Sequence, residues 1–168
     1  MVDELHAAAL RMLARRALSI GELAERLERR GYQDGEVRAE LRRLIAAGLL
    51  RETALARAIC SAKLASGNGR RAIAIALRRR KIDRDAAAGA LASVDEEAEQ
   101  TALAHALAKA VRRHPRWRTL PDERRKVLRY LLTRGFAVSE ARRALREHGG
   151  YDNNAGQTIV AGDPPEFP

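Results

Sequence analysis

The side chains in this sequence that most often carry chemistry are few and scattered. The four histidines, His6, His105, His114 and His148, have no carboxylate or cysteine at the spacing of a metal site. We therefore interpret them as surface or cap residues. Cys60 is the single cysteine and lies in an apolar stretch, which predicts a small core residue rather than a nucleophile. One cysteine also excludes an internal disulfide and fits a reducing compartment.

Cofactor motifs are equally sparse. The "GNG" stretch at Gly67 to Gly69 lacks the further glycine of a dinucleotide loop, and no strand precedes it. We interpret it as a turn, and no Walker motif is present. The sequence thus predicts a protein that is not an enzyme and uses no cofactor or metal.

The net charge of +10 is the chemical feature that remains, and it is unevenly distributed. Residues 1–50 hold nine basic and eight acidic side chains, residues 51–92 hold ten and three, and residues 93–150 hold thirteen and eight. An excess of this size indicates an anionic partner, although a solvated basic face would look the same. The middle of the chain is therefore the predicted centre of binding.

The candidate binding residues are the clustered cations of the middle and later parts of the chain, together with one aromatic residue. Consecutive arginines fan around a helix, and arginine pairs spaced i,i+4 without an intervening acid share a face. The tryptophan could stack on a base or anchor a protein contact, although packing between two units is commoner. These residues are Arg70, Arg71, Arg78, Arg79, Arg80, Lys81, Arg116, Trp117, Arg118, Arg125, Arg129, Arg142 and Arg146.

Two opposite-charge pairs near the start of the chain have a different interpretation. Glu22 with Arg26 and Glu25 with Arg29 are spaced i,i+4, so they predict local helix support and not a ligand surface.

Stacking of nucleic-acid bases on aromatic side chains has little support in the sequence, because Trp117 and Tyr130 are the main aromatic residues that remain outside the core pattern.

A repeated spacing of apolar residues shows which elements position these cations. The same offsets of 4, 5, 5 and 4 residues occur three times without a gap, at separations of 50 and 54 residues, and a true repeat keeps its buried positions in register. The three sets are Leu23, Leu27, Tyr32, Val37 and Leu41; Ile73, Leu77, Ile82, Ala87 and Leu91; and Val127, Leu131, Phe136, Ala141 and Leu145.

Each copy is predicted to form a helix, a tight turn and a second helix. Gly31 and Gly135 can take the left-handed conformation that ends a helix, whereas the second copy has Lys81 there. That turn must either accept strain or use another geometry. Pro121, followed by two acids, is typical of a helix start.

With one further amphipathic helix before each pair, the fold class is an all-α, elongated tandem array of three three-helix repeats, about nine helices in total. We predict a first unit at 1–50, a second and most basic unit at 51–94 and a third unit at 95–150. Residues 151–168 have no helical period and are predicted to be a disordered tail. No signal peptide or bilayer-spanning run is evident, so the expected location is the cytoplasm.

The order of motifs resembles one known family. An "EL" helix, "RRGY", a second helix, "GLL", the turn "GNGRR-I" and finally "LRYLLTRGFAVSEARRAL" are similar to the RecX family of recombination regulators, from about Leu10 to Arg146. The second unit departs from the family pattern at Arg51, Arg70 and Lys81, among other positions, and these departures make it more basic.

The resemblance implies a non-enzymatic monomer built from three-helix repeats. Such a protein would bind the RecA–DNA filament along its groove and inhibit the ATPase, strand-exchange and coprotease activities of RecA. Two alternatives remain open from the residues alone. One is a helix-turn-helix-like protein that binds DNA directly through the basic second and third units. The other is a scaffold for an acidic protein unrelated to recombination.

Overall fold

The computed structural model describes residues 2–149, and within that range every regular element is an α-helix. The predicted tail at 151–168 lies outside the described residues. The helices are α1 Val2–Arg15, α2 Ile20–Glu28, α3 Asp34–Ala46, α4 Glu52–Ala65, α5 Arg70–Arg79, α6 Arg84–Ala92, α7 Glu96–Arg113, α8 Pro121–Thr133 and α9 Val138–Gly149.

Three separate hydrophobic clusters divide these helices into consecutive groups. One cluster contains residues of α1 to α3, the next residues of α4 to α6, and the last residues of α7 to α9. Leu64 of α4 packs against both the second and the third cluster. The predicted all-α array of nine helices is confirmed for residues 2–149. Hereafter the first, second and third units are α1–α3, α4–α6 and α7–α9, while their exact boundaries stay a prediction.

The repeated apolar positions lie in equivalent places. Leu27, Leu77 and Leu131 are each fully buried at the centre of their own unit. In the turn between α2 and α3, Tyr32 is half-buried, whereas Phe136 is buried at the equivalent place between α8 and α9. Burial of these side chains from water is the main force that holds each unit together.

The second unit differs in its last helix. Ala87 and Leu91 of α6 are only half-buried, and Ala90 is fully buried instead. Because α6 is built mostly from alanine, its small side chains allow a displaced face to pack against α4. The apolar spacing therefore predicted the helix α6 correctly, but it did not predict which face of that helix is buried.

The turn between the second and third helix of each unit shows how Lys81 is accommodated at a position that is glycine in the other two units. Gly31 and Gly135 have φ of +90° and +87°, as predicted. Lys81 takes the left-handed conformation too, with φ of +51°. For a residue with a Cβ this conformation costs roughly 1–2 kcal/mol. The second unit accepts the strain and keeps the same turn.

The two joints between units use equivalent places, and glycines line both: Gly21 at the first joint, and Gly69 and Gly135 at the second. The first turn of α2 packs on the turn at Lys81, where a Cβ on Gly21 would lie 2.9 Å from both the Cβ and the carbonyl oxygen of Lys81. The start of α5 packs on the turn at Gly135, where a Cβ would lie 2.3 Å from the main-chain nitrogen of Ala72. At the first joint the glycine is in the first turn of α2, whereas at the second joint Gly69 precedes α5 and Gly135 lies in the turn. Each pair of elements can therefore approach closely.

Hydrogen bonds donated by main-chain N–H groups fix both joints. At the second joint, Gly69 N–H donates to Arg134 O at 2.8 Å and Arg71 N–H donates to Gly135 O at 3.3 Å. At the first joint, the buried carboxylate of Glu52 accepts from Ile20 N–H at 2.8 Å and from Asp83 N–H at 3.0 Å. Three of these bonds cross from one unit to the next, and the bond from Asp83 holds the Glu52 carboxylate within the second unit.

Candidate partner and nucleic-acid interface

The described residues expose many cationic side chains, and their single cysteine, Cys60, is buried. Within residues 2–149 no three histidine, cysteine, aspartate or glutamate side chains are grouped in a way that could hold a metal ion. Burial raises the pKa of the Cys60 thiol, which disfavours its nucleophilic thiolate. None of the helices in that range has the length and apolar content needed to span a membrane.

Arg70, predicted as a binding residue, is engaged inside the protein. Its Nε lies 2.7 Å from Glu99 Oε2 at the start of α7. Its two Nη atoms donate to the carbonyl oxygens of Leu91, near the end of α6, and of Val94, which follows that helix. Arg70 therefore connects α5, α6 and α7, and its guanidinium is largely occupied by these contacts.

Arg80 and Lys81 are engaged at the joint between the first and second units. Arg80 binds both carboxylate oxygens of Glu22, at 2.8 and 3.0 Å, and donates to Ala17 O at 2.8 Å. Lys81 Nζ lies 2.7 Å from Glu25 Oε1. The consecutive arginines at 78–80 thus separate, because α5 ends at Arg79 and Arg80 turns toward α2.

The predicted local pair of Glu22 with Arg26 is wrong. Glu22 instead contacts Arg16 at 3.1 Å and Arg80 across the joint. The planar guanidinium of Arg80 matches the carboxylate with two hydrogen bonds, a geometry stronger than a single helical contact. The other predicted pair, Glu25 with Arg29, is present at 2.7 Å.

Acid is expected to weaken this joint. Burial raises the pKa of Glu22, but hydrogen bonds from Arg80 and Ser19 and the nearby positive charges outweigh it, so the pKa lies below its ordinary value of 4.5. A carboxyl group with a lowered folded-state pKa stabilises the fold above the unfolded-state value, and this contribution is lost as pH falls through the folded-state value. Glu22→Gln should therefore lower the melting temperature at pH 7 and have a smaller effect below pH 4. An equal effect at both pH values would contradict the assignment.

Three predicted residues of the third unit are also engaged. Trp117 is buried in the core, only 5% exposed, so it is not a platform for base stacking in this structure. The Arg118 guanidinium lies 5.3 Å from the Trp117 ring centroid and donates to His148 O at 2.9 Å. Arg125 is paired with Asp122 one helical turn away.

The remaining predicted arginines are exposed. Their side chains have no hydrogen-bond or ion-pair partner among residues 2–149. On α5, three of them surround Ile75, which is itself 43% exposed. We call this surface, Arg71, Ile75, Arg78 and Arg79, the α5 basic face. The full set of exposed arginines is Arg71, Arg78, Arg79, Arg116, Arg129, Arg142 and Arg146.

A second cationic cluster was not predicted. The guanidinium carbons of Arg113 and Arg134 lie 5.8 and 5.0 Å from the ring centroid of Tyr130. Arg113 ends α7, Tyr130 lies on α8 and Arg134 follows α8. The sequence named Tyr130 only as a stacking candidate, because residues from three separate positions meet here through the packing of α7 on α8.

Comparison with known proteins gives matches to two family models. The model described as the first three-helix domain of RecX matches residues 6–44, and the model described as the third three-helix domain of RecX matches residues 97–145. These two ranges fall within the first and third units. The second unit lies between them.

Whole-chain relatives carry the same family name. Regulatory protein RecX of Halorhodospira halophila is 39% identical over 140 residues, which cover 82% of this chain and 83% of the relative. Regulatory protein RecX of Mycobacterium sp. strain KMS is 33% identical over 147 residues, 83% of this chain and 78% of the relative.

The crystal structure of RecX from Lactobacillus salivarius has the same fold. It superposes with a TM-score of 0.75 at 19% identity, covering 87% of this chain and 95% of that chain. A second crystal structure, of a regulatory protein RecX, superposes with a TM-score of 0.72 at 20% identity. The match covers 84% of this chain and 71% of that chain. Sequence identity over most of both chains, domain matches at both ends and this common architecture agree: the chain belongs to the RecX family.

Proposed function

We propose that this protein docks non-covalently on the RecA–DNA filament and inhibits RecA. ATP hydrolysis, strand exchange and coprotease activity would fall together, which would limit homologous recombination, DNA repair and the SOS response. Membership of a family of regulatory proteins supports a regulatory role. The observation that carries the proposal to this chain is a series of helical units with exposed, unpaired arginines on successive units.

The α5 basic face is the best candidate for the main contact. Arg71 and Arg78 lie two helical turns apart on one face, and Arg79 borders it. Unpaired guanidinium groups keep their full capacity for bidentate bonds with phosphate or carboxylate, and exposed Ile75 adds apolar area between them. A filament of RecA on DNA offers such anionic groups at regular intervals. The protein would act there as a monomer in the cytoplasm.

The test is ATP hydrolysis by RecA on single-stranded DNA, titrated with this protein. Wild type should inhibit, and the variant R71Q/R78Q/R79Q should need at least tenfold more protein for half-inhibition, since three charge-assisted contacts together contribute about 1.4 kcal/mol or more. The matched control, R11Q/R15Q/R42Q, removes three exposed arginines of the first unit. Unchanged hydrolysis at saturating folded protein would contradict the proposal, and an equal loss in both variants would contradict the assignment of the face.

Direct DNA binding is a second candidate function. The cluster of Arg113, Tyr130 and Arg134 favours it, since arginines next to an aromatic ring are typical of nucleic-acid surfaces. A salt titration on naked DNA measures it, because each phosphate contact contributes about 0.9 to the log–log slope on duplex DNA. Binding that is tighter on RecA-coated strands than on naked strands would favour filament docking instead.

A further inference from the structure

The two joints between units are built from different kinds of contact. Arg80 and Arg134 occupy equivalent positions in the second and third units, and each follows the last residue of its helix. At the first joint the Arg80 side chain bonds to Glu22, whereas at the second joint the main-chain oxygen of Arg134 accepts from Gly69 N–H. The position equivalent to Glu22 at the second joint is Ala72, which carries no charge. The first joint therefore depends on ionised side chains, and the second depends mainly on the main chain.

Charged side chains take part in every hydrogen bond that crosses the first joint within residues 2–149. Its two ion pairs are Arg80 with Glu22 and Lys81 with Glu25, at 2.8 and 2.7 Å. The side chain of Lys81 is 48% exposed and that of Glu25 is 34% exposed, so dissolved ions can approach this pair. Salt screens such pairs, because the Debye length falls from about 10 Å at about 0.1 M to about 3 Å at about 1 M. The ionic contacts of the first joint should therefore weaken as ionic strength rises.

Apolar packing does not continue across the first joint. Among residues 2–149, no apolar side chain packs against both the first and the second hydrophobic cluster. The carboxylate of Glu52 also accepts from Asp83 N–H inside the second unit, so it stays hydrogen-bonded if Ile20 moves away. Separation of the first unit would thus expose little apolar surface and would not leave the Glu52 carboxylate without a donor.

The second joint has the apolar continuity that the first joint lacks. Leu64 packs against both the second and the third cluster, and α4 packs on α7. A Cβ on Gly69 would lie 2.7 Å from Phe136 Cδ1, so the main chain at the start of α5 sits directly on this ring. One ion pair, Arg70 with Glu99, also crosses this joint, but it adds to contacts that need no charge. Salt should therefore leave the second joint closed.

We infer that the first joint is a salt-sensitive hinge, at which the first unit moves relative to a rigid body formed by the second and third units. The ion pairs of Arg80 and Lys81 close the hinge. It opens when salt screens these pairs or when another anion replaces their carboxylate partners. Opening exposes both cations next to Arg79 of the α5 basic face. The positive charge available on that surface thus depends on the position of the first unit.

The experiment measures distances between spin labels by double electron–electron resonance in the full-length protein. Cys60 is replaced by alanine, and labels are attached to cysteines at exposed alanine positions. The pair at Ala39 and Ala58 spans the first joint, and the pair at Ala58 and Ala108 spans the second. Between about 0.1 M and about 1 M NaCl, the distance distribution across the first joint should become at least about twice as broad, because the Debye length falls roughly threefold. The distribution across the second joint should keep its width.

Pairs of charge substitutions locate the hinge. R80Q/K81Q removes the cations of both ion pairs, so at about 0.1 M NaCl its distribution across the first joint should match that of the unsubstituted joint at about 1 M. The matched control, R78Q/R79Q, removes the same charge from exposed arginines that have no ion-pair partner among residues 2–149, and it should leave the distribution unchanged. E22Q/E25Q removes the carboxylates instead and should behave like R80Q/K81Q. Far-UV circular dichroism confirms that each variant is folded.

Three results would overturn the inference. They are a distribution across the first joint that does not change with salt, equal broadening at both joints, and the same response in R78Q/R79Q as in R80Q/K81Q. The salt titration needs no charge substitution, so it decides the question even where a variant does not fold. The assay contains neither RecA nor DNA, and its result is therefore independent of the filament proposal, which the ATPase titration tests.

Discussion

Replacing Gly135 with alanine is expected to destabilise the protein by about 3 kcal/mol or more. The left-handed conformation at φ +87° costs an alanine roughly 1–2 kcal/mol. The new Cβ would also lie 2.3 Å from the nitrogen and 2.7 Å from the Cβ of Ala72, and overpacking of this kind costs roughly 1–3 kcal/mol. The start of α5 must therefore move away from the turn.

Gly31 is the matched control for this substitution. It has the same conformation at φ +90°, but a Cβ there would meet no atom within 4 Å. Gly31→Ala should therefore cost only the backbone strain, roughly 1–2 kcal/mol. Denaturant unfolding of both variants measures the difference, which is the contribution of close contact at the second joint. Equal destabilisation would mean that the third unit does not pack on α5 as described.

The second large effect is expected at Glu52, where one carboxylate joins two units. Glu52→Ala leaves the N–H groups of Ile20 and Asp83 without their acceptor. Hydrogen bonds to a charged group contribute roughly 1.5–3 kcal/mol each, and not all of that is lost because water can enter. We expect a loss of about 3 kcal/mol, which lowers the melting temperature of a chain of this size by roughly 6–12 °C.

Two further variants make this test specific. Glu52→Gln keeps one acceptor oxygen, so its melting temperature should lie between those of wild type and Glu52→Ala. Glu28→Ala removes an exposed glutamate with no ion-pair partner among residues 2–149 and should change stability by less than about 0.5 kcal/mol. If Glu52→Ala melts like Glu28→Ala, the carboxylate does not hold the joint.

The fold was predictable because the first helix of each repeated pair buries the same positions. Leu27, Leu77 and Leu131 are placed by periodicity within one helix pair, and periodicity is visible in a sequence. Phe136 was likewise correctly assigned to the core. The conformation of Lys81 could not be decided from the sequence, because it depends on a residue 60 positions away. That residue is Gly21, which has no Cβ and so leaves room for the Cβ of Lys81.

The candidate surface was harder to predict, because an arginine is free or engaged according to contacts between units. The sequence predicted Arg80 as one of three consecutive arginines available for binding, yet Glu22 binds it across 58 positions in sequence. Nothing in the sequence marked Arg134 as a candidate residue. That it has no carboxylate partner among residues 2–149 is apparent only when it is compared with Arg80 in the equivalent joint. Composition located the basic second unit, and tertiary packing decided which of its cations remain exposed.

The open turn at Gly31 has a consequence for the architecture as a whole. Its φ is close to that of Gly135, but among residues 2–149 no atom of another element lies within 4 Å of the place where a Cβ on Gly31 would be. A copy of α4–α6, grafted ahead of α1, could seat its own helix start on that turn in the way that α5 sits on Gly135. The array could thus be lengthened by gene duplication or by protein engineering at this end without redesigning the units that already exist.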